Sequence, residues 1–211
     1  MRTQEQVNEI VRLLLEEYPL ADCTLDWRKD YELLFSVRLA AQCTDERVNK
    51  ITPALFARFP TLKDFAEAEV EEVEKYVHSC GFYHAKARDI VACAQVLLEK
   101  YNGELPRTME ELTALPGVGR KTANLILGDV FKIPGSTVVD THCIRLTNRM
   151  GIVDDLKDPV KIEQALRKVL PPEHSSDFCH CLVLHGRAVC SARKPDCERC
   201  CLSHLCRSFS G

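Results

Sequence analysis

The chain has 211 residues, of which 45% are hydrophobic and 28% are charged, and its formal net charge is -3. This length allows one large domain or two modest lobes. Because the balance is acidic, the chain does not have the composition of a basic nucleic-acid binder, and any surface for DNA must be a local patch. No apolar run is long enough to span a bilayer and no targeting peptide is predicted, so we expect a cytosolic protein with no membrane partner.

The hydrophobic pattern predicts helices throughout. Two apolar stripes at helical spacing are present, and the second lies between Ile90 and Tyr101. Thr108 followed by Glu111 predicts a capping box at the start of a short helix. Residues 137–139 are all β-branched, but the segment is too short to found a sheet. These patterns predict an all-α protein. The first stripe consists of Val7, Ile10, Val11, Leu14, Leu15 and Tyr18.

A glycine-containing segment at residues 115–124 reads LPGVGRKTAN. Gly117 and Gly119 allow a tight turn in which the backbone approaches a ligand closely. A helix predicted directly afterwards would point its first amides and its dipole at an anion such as a phosphate. The segment is neither a Walker loop nor a dinucleotide fingerprint, since no strand precedes it. A plain helix–helix turn with a glycine C-cap fits the glycine spacing equally well, and both alternatives stay open.

Four cysteines near the end of the chain are spaced C-x6-C-x2-C-x5-C, and they are Cys190, Cys197, Cys200 and Cys206. Thiolates this close in sequence can converge on a structural zinc ion or on an iron–sulfur cluster. Zinc sites usually contain two C-x2-C-like pairs and this segment contains one, so the spacing favours a cluster. A disulfide knot is disfavoured, because no secretory signal is predicted and twelve cysteines in 211 residues fall well below the density of a disulfide scaffold.

Three further cysteines lie near this group. Cys201 is adjacent to Cys200 and breaks the spacing, so we interpret it as a bystander. Cys179 and Cys181 keep an alternative ligand set open.

Several motifs, in chain order, resemble those of the helix–hairpin–helix DNA glycosylases of base excision repair. The run at residues 115–123 resembles their hairpin, and Val139-Asp140-Thr141-His142 resembles the loop that carries their catalytic aspartate. The cysteine spacing matches the iron–sulfur loop of the endonuclease III branch. Residues 39–45 and 81–83 also fall where that branch has motifs. The resemblance covers essentially the whole chain.

The resemblance implies a two-lobed, all-α helix–hairpin–helix glycosylase fold with a C-terminal iron–sulfur loop. A six-helix barrel domain would span residues 22–133, and a second domain would combine residues 1–21 with 134–211, including the cluster loop at 190–206. The four cysteines would hold a [4Fe-4S] cluster. The activity implied is that of a bifunctional DNA glycosylase and AP lyase, which excises oxidised pyrimidines from double-stranded DNA and cleaves the strand 3′ to abasic sites by β-elimination. We expect a monomer in a bacterial cytosol or nucleoid.

Lys121 corresponds to the nucleophile of that family. Most lysines are solvated surface charges, and that is the alternative for Lys121. A helix dipole, partial burial and the nearby Arg120 and Lys132 would disfavour its proton. A neutral lysine can form a Schiff base with a sugar carbon. Branches that only excise bases lack this lysine, so its presence favours combined glycosylase and lyase activity.

Asp140 precedes a helix predicted over residues 141–150, where an aspartate is typically the N-cap. The resemblance implies a second role, the stabilisation of positive charge that develops on the deoxyribose. Both roles can hold together. His142 and Arg145 follow on the same helix, and we expect them to give support or to contact phosphate.

A glycosylase must flip its target base out of the stack, and another group must fill the gap. By resemblance, Gln42 faces the orphaned base and Phe82, where many relatives carry leucine, acts as a wedge between bases. The alternative is that Phe82 and Tyr83 are core aromatics. The remaining predicted DNA contacts are Gly117, Gly119 and Arg120 of the hairpin, and Arg193 and Lys194 of the cysteine segment.

Two other classes of function stay open. A monofunctional mismatch glycosylase is disfavoured by Lys121. A non-catalytic module that binds DNA or a cluster is disfavoured by the joint presence of Lys121 and Asp140.

Overall fold

The computed structural model describes residues 2–209, and no strand occurs in that range. The prediction of an all-α protein is confirmed. Within the described range the helices are α1 (Gln4–Glu17), α2 (Asp30–Ala40), α3 (Asp45–Arg58), α4 (Leu62–Ala66), α5 (Val70–Val77), α6 (Tyr83–Tyr101), α7 (Met109–Thr113), α8 (Arg120–Asp129), α9 (Thr141–Met150), α10 (Pro159–Val169) and α11 (Ser175–Ala188). Three short 3₁₀ helices lie at His78–Cys80, Pro172–His174 and Ser203–Leu205.

The helices lie where the apolar periodicity predicts them. The first stripe buries Val7, Ile10, Val11 and Leu14 along α1, and Tyr18 is the C-cap directly after it. The second stripe lies on α6, and the helix predicted over residues 141–150 coincides with α9.

Side-chain caps fix several helix starts. Thr108 accepts a hydrogen bond from the backbone N–H of Glu111 at 3.2 Å, as predicted for the start of α7. A complete capping box would also have the Glu111 carboxylate accept a hydrogen bond from the backbone N–H of Thr108. Instead, this carboxylate accepts a hydrogen bond from the Thr108 hydroxyl at 2.7 Å. At α1, Thr3 and Gln6 form the complete capping box.

The chain forms two compact units. One comprises Thr24–Val130, and the other combines Met1–Cys23 with Phe131–Gly211. The sequence predicts two functional domains with boundaries at residues 22 and 133, and this division into functional domains stays a prediction.

The unit Thr24–Val130 is built around an aromatic cluster. Phe65 is completely buried, and its ring centroid lies 5.0 Å from that of Phe35 and 5.1 Å from that of Phe59. The Phe35 ring meets Phe65 nearly edge to face, an arrangement that aromatic quadrupoles favour. α4 and α5 pack against the long helix α6 in this unit, and α7 packs against α8.

The other unit is centred on α11. Both α1 and α9 pack against α11, burying Ile10 and Leu14 of α1 and Phe178 and Leu182 of α11. None of the helices between residues 2 and 209 has the length and apolar character needed to cross a membrane.

Candidate functional site

The glycine segment forms a β-turn between α7 and α8. The backbone N–H of Val118 donates to the carbonyl of Leu115 at 3.1 Å, with Pro116 and Gly117 at the two central positions. Gly117 has a φ of +72°, as a proline-glycine turn of type II requires. The glycine C-cap of the alternative interpretation is not what forms, since the C-cap of α7 is Ala114.

The two glycines have different surroundings. A Cβ on Gly117 would lie 2.8 Å from both Arg38 Nε and Asp89 Oδ2, whereas a Cβ on Gly119 would meet nothing within 4 Å. Arg38 and Asp89 form an ion pair at 2.6 Å, so the turn rests on a half-buried charge pair from α2 and α6. Gly117 is therefore required by conformation and by space, while Gly119 leaves open room above the start of α8.

The start of α8 has the features of an anion site. Gly119 is its N-cap and has no side chain with which to cap the first amides. Amides without caps at a helix start, together with the helix dipole, favour a bound anion. Arg120 and Lys121 are the first two residues of α8, and both are exposed.

The exposure of Lys121 corrects one expectation. The sequence interpretation included partial burial as a cause of proton loss, but the Lys121 side chain lies in solvent. The reason is its position in the first turn of α8, whose buried residues begin at Ala123.

Asp140 is the N-cap of α9, as predicted. Its Oδ1 accepts a hydrogen bond from the backbone N–H of Cys143 at 2.8 Å. No residue in the described part of the chain hydrogen-bonds Oδ2. One carboxylate oxygen is thus used by the cap, and the other can act on a ligand.

His142 and Arg145 connect α9 to the end of α11. Arg145 Nη2 donates to the carbonyls of Gly186 at 3.2 Å and Cys190 at 3.0 Å, and it lies 3.1 Å from His142 Nδ1. A Cβ on Gly186 would come within 2.3 Å of His142 Nδ1, so only glycine fits there. These contacts correspond to the support that was predicted as one alternative. The phosphate contacts stay a prediction.

Gln42 and Phe82 lie in exposed loops with unusual backbone conformations. Phe82 is 71% exposed, so the interpretation of Phe82 as a core aromatic is wrong. Its half-buried neighbour Tyr83 instead packs against His78, with ring centroids 4.5 Å apart and the ring planes tilted by 49°. The φ angles are +56° at Gln42 and +48° at Phe82, values that non-glycine residues seldom adopt and that cluster at functional sites.

All four predicted cysteine ligands line one cavity of about 250 Å³. Cys190 follows α11, and Cys197, Cys200 and Cys206 come from the loop after it. Among residues 2–209, no three His, Cys, Asp or Glu side chains are grouped so that a single metal ion could bind. The four cysteines therefore share the lining of one cavity.

Two basic side chains contact these sulfurs, and the sequence interpretation missed both. Arg149 Nη1 donates to Cys190 Sγ at 3.2 Å, and the same guanidinium donates to the carbonyls of Ser191 and Ala192. His185 Nε2 lies 3.3 Å from Cys200 Sγ, and its Nδ1 lies 3.0 Å from Tyr18 Oη. Arg149 follows Arg145 by one helical turn on α9, and that spacing is the only sequence signal that could have suggested its role.

The other cysteines lie away from the cavity lining. Cys201 does not line it. Cys179 interacts with Cys143 in the packed interior, and the Cys181 thiol faces the carbonyl of Tyr18 at 3.9 Å. Arg193 and Lys194 are exposed on the loop, as a phosphate contact requires.

Comparison with known proteins assigns the class. The model of the HhH-GPD superfamily of base excision DNA repair proteins matches residues 35–172. The chain is 45% identical to an endonuclease III of Synechocystis over 97% of its length and 93% of the relative, and 42% identical to that of Escherichia coli K12 over 94% and 93%. The chain therefore belongs to the HhH-GPD superfamily.

Within that superfamily it belongs to the endonuclease III family. A solved structure of a trapped covalent endonuclease III–DNA intermediate, an estranged-adenine complex, superimposes with a TM-score of 0.91 at 40% identity and covers 99% of this chain and 98% of the other. The family and the cysteine-rich segment are together consistent with an iron–sulfur cluster.

The two hairpin glycines allow a matched test. Gly117→Ala should lower the free energy of unfolding by about 1–2 kcal/mol or more, because an L-residue is strained at positive φ and its methyl group would displace the Arg38–Asp89 pair. Gly119→Ala has a compatible φ of -97° and open space, so its stability should stay within about 0.5 kcal/mol of the parent. Chemical denaturation of both variants measures the difference, and equal losses would contradict this account of the turn.

Proposed function

We propose that the protein is a bifunctional DNA glycosylase and AP lyase of base excision repair. Its substrates are double-stranded DNA with oxidised pyrimidines and with abasic sites. It excises the base through a lysine Schiff base and then cleaves the strand 3′ to the abasic site by β-elimination. We further propose that it acts as a monomer in a bacterial cytosol or nucleoid.

The likeness to a covalent endonuclease III–DNA intermediate carries this proposal. A covalent bond to DNA requires a nucleophile on the protein, and a Schiff base requires an amine. Lys121 is an exposed amine in the first turn of α8, a helix start without a side-chain cap, which suits a phosphate. This placement supports Lys121 as the group that attacks the sugar.

In the proposed reaction, Lys121 first displaces the base and then, as an imine, allows strand cleavage. Its unprotonated Nζ attacks C1′ of the damaged nucleoside, and the bond from C1′ to the base breaks with the electron pair leaving on the base. Nζ then loses its extra proton, and the C1′–O4′ bond breaks while O4′ takes up a proton, so that the sugar ring opens. The resulting imine makes the C2′ proton acidic. Loss of that proton moves electrons into a C2′–C3′ double bond, and the 3′ phosphate leaves with the electrons of the C3′–O bond. Water later hydrolyses the imine and frees Lys121.

Lys121 is exposed on the protein surface. We propose that the DNA itself completes the site, since a duplex over the hairpin would exclude water from Nζ. The phosphates held at the start of α8 would then place C1′ near the amine.

Asp140 is proposed to stabilise the positive charge that develops on the deoxyribose as the base leaves. Its Oδ1 is held by the cap of α9, which fixes the carboxylate orientation, and Oδ2 is open to a ligand. A carboxylate that is oriented before the substrate binds needs no reorganisation during the reaction.

Gln42 and Phe82 are proposed to fill the space that the flipped base leaves. A 71% exposed phenylalanine costs free energy in water unless another surface covers it, and base stacks cover aromatic rings well. The left-handed backbone at Phe82 projects the ring at the start of α6. Arg193 and Lys194 would contact phosphates, as would the start of α8.

Cys190, Cys197, Cys200 and Cys206 are proposed to hold a [4Fe-4S] cluster. Their sulfurs surround a cavity, which fits a cubane better than one ion, and Arg149 places positive charge beside Cys190 Sγ. The bound cluster would supply binding free energy that orders the loop, and no step of the reaction passes through it. A rigid loop presents Arg193 and Lys194 at a low entropic cost.

Replacement of Lys121 tests the nucleophile. Lys121→Gln should abolish strand cleavage and borohydride trapping on abasic duplex DNA, while the affinity for DNA stays nearly unchanged because a single surface charge is lost. Lys100→Gln, which changes an exposed lysine on α6, should keep both activities. Undiminished trapping by Lys121→Gln would assign the nucleophile to another residue.

The substitution Asp140→Asn separates the two roles of Asp140, since Asn caps a helix about as well as Asp. Asp140→Asn should keep the melting temperature while single-turnover excision of an oxidised pyrimidine falls by about two powers of ten. Asp158, the N-cap of α10, is the matched control, and Asp158→Asn should leave both quantities near those of the parent. Equal excision by the two variants would leave Asp140 only its capping role.

The adjacent cysteines test the cluster. The parent protein should be yellow-brown, with about four irons and four sulfides per chain. Cys200→Ser should lose most of the colour and iron, whereas Cys201→Ser should keep both, because only Cys200 lines the cavity. A colourless parent protein with stoichiometric zinc, prepared without oxygen, would refute the assignment.

A further inference from the structure

Lys86 is a buried lysine near the start of α6. It is 1% exposed, whereas every other lysine between residues 2 and 209 is exposed. Removing an ammonium group from water is unfavourable unless hydrogen bonds replace the lost hydration. The contacts of this one side chain therefore show what its burial achieves.

The Nζ of Lys86 joins two segments that are far apart in sequence. It donates to the carbonyl of Leu39 at 2.8 Å and to that of Cys80 at 2.6 Å, and both are short, charge-assisted hydrogen bonds. Leu39 lies in the last turn of α2, just before the Gln42 loop, residues 41–44. Cys80 ends the 3₁₀ helix just before the Phe82 loop, residues 81–82. One ammonium group therefore ties together the beginnings of both loops.

Backbone hydrogen bonds hold both loops close to these anchors. The N–H of Cys43 donates to the carbonyl of Ala40 at 3.0 Å, which closes a turn that contains Gln42. The N–H of Lys86 donates to the carbonyl of Phe82 at 3.1 Å. Gln42 and Phe82 both have positive φ, a conformation that persists in non-glycine residues only where surrounding contacts fix it. The positions of these two side chains thus depend on the anchors that Lys86 provides.

A second contact between α6 and α2 adds the hairpin to the same frame. Asp89 follows Lys86 by three residues on α6, and residues at this spacing lie on one face of a helix. Asp89 pairs at 2.6 Å with Arg38, which is in the last turn of α2, and the Gly117 turn rests on this pair. One face of α6 therefore holds the end of α2, the Phe82 loop and the hairpin.

We propose that Lys86 is a positioning residue, which holds Gln42 and Phe82 at a fixed separation so that both side chains enter a DNA duplex together when a base is flipped out. This inference rests on the proposed function. Because Lys86 is buried, it does not contact DNA itself, and it acts through the two loops.

The strandedness of the DNA distinguishes this role from general support of the fold. In a duplex, a flipped nucleotide leaves a gap in the stack and an orphaned base opposite, and both side chains must fill that space in register. A single strand has no opposite base and no such gap. Loss of the Lys86 hydrogen bonds should therefore impair action on a paired lesion and spare action on an unpaired one.

The substitution Lys86→Met tests this expectation on the intact, cluster-containing protein. Methionine has a similar length but no charge and no donor. Single-turnover strand cleavage is measured at an abasic site in a duplex and in the same strand unpaired. We expect a fall of at least about tenfold on the duplex and of less than about threefold on the single strand, because small misplacements of interacting groups are costly.

Leu97→Ala is the matched control for lost stability. Leu97 is completely buried near the other end of α6, so a cavity there destabilises the unit without touching either loop. Chemical denaturation measures the loss in both variants. Leu97→Ala should keep the parent's ratio of duplex to single-strand rates. An equal fall on both substrates in Lys86→Met, or no fall on the duplex, would overturn the proposal.

A second substitution covers the case in which Lys86→Met does not fold. Lys86→Gln keeps a neutral donor for one carbonyl, but its side chain is one bond shorter and does not bridge the carbonyls of Leu39 and Cys80. It should show the same loss on duplex DNA alone. A folded Lys86→Gln protein with the parent's ratio of rates would contradict the bridging role.

A double-mutant cycle tests whether Lys86 acts through the two loops. Gln42→Ala combined with Phe82→Ala removes both gap-filling side chains. In that background, Lys86→Met should change cleavage of the duplex by less than about threefold, because nothing remains to be positioned. An undiminished fall in that background would assign Lys86 a different role and overturn the proposal. The cycle uses duplex DNA only, so it does not depend on activity towards single strands.

The parent protein separates this inference from the proposed function. A parent that cleaves abasic duplex DNA, together with an unchanged ratio of rates in Lys86→Met, would refute the positioning role and leave the proposed function standing. A parent that cleaves neither substrate would refute the proposed function, and the positioning role with it.

Discussion

Gly117 has a φ of +72°, and its missing side chain leaves room for Arg38 and Asp89, which would lie 2.8 Å from any Cβ at this position. The β-turn that this glycine permits ends α7 and starts α8 within a few residues. The start of α8 in turn determines where its uncapped amides and Lys121 are presented. One residue without a side chain, seated on one ion pair, therefore positions the whole candidate DNA-binding hairpin. The constraint is steric first and electrostatic second, since the charges of Arg38 and Asp89 are already satisfied by each other.

In the other unit, α9 holds neighbouring groups in position at both of its ends. At its N-terminus, Asp140 uses one carboxylate oxygen, Oδ1, as the helix cap. Towards its C-terminus, Arg145 and Arg149 donate to carbonyls of the segment that begins at Gly186 and leads into the cysteine loop. A guanidinium has several donors in a rigid plane, so one side chain can hold several carbonyls at once. The same helix thus connects the candidate catalytic carboxylate to the frame of the cysteine cavity.

The two exposed loops of the unit Thr24–Val130 show how a strained backbone can be kept. Non-glycine residues at positive φ cost free energy, and such conformations persist only where neighbouring contacts fix them. Lys86 provides those contacts from below by bonding the carbonyls of Leu39 and Cys80. A buried ammonium group is unfavourable by itself, and desolvation lowers the pKa of Lys86, so its two carbonyl partners are necessary. Lys86 thus ties the backbone shortly before Gln42 to the backbone shortly before Phe82.

The amino-acid sequence by itself determined the all-α class, the position of α9, the Asp140 cap and the grouping of four cysteines, because each depends on residues a few positions apart. Helical periodicity, capping and ligand spacing are local rules, and they hold whatever surrounds the segment. Only the tertiary structure decided that Lys121 and Phe82 are exposed, that Arg149 and His185 face the sulfurs, and that Lys86 bonds the carbonyls of Leu39 and Cys80. Burial and contact between residues far apart in sequence depend on how helices pack, and no local pattern in the chain encodes them.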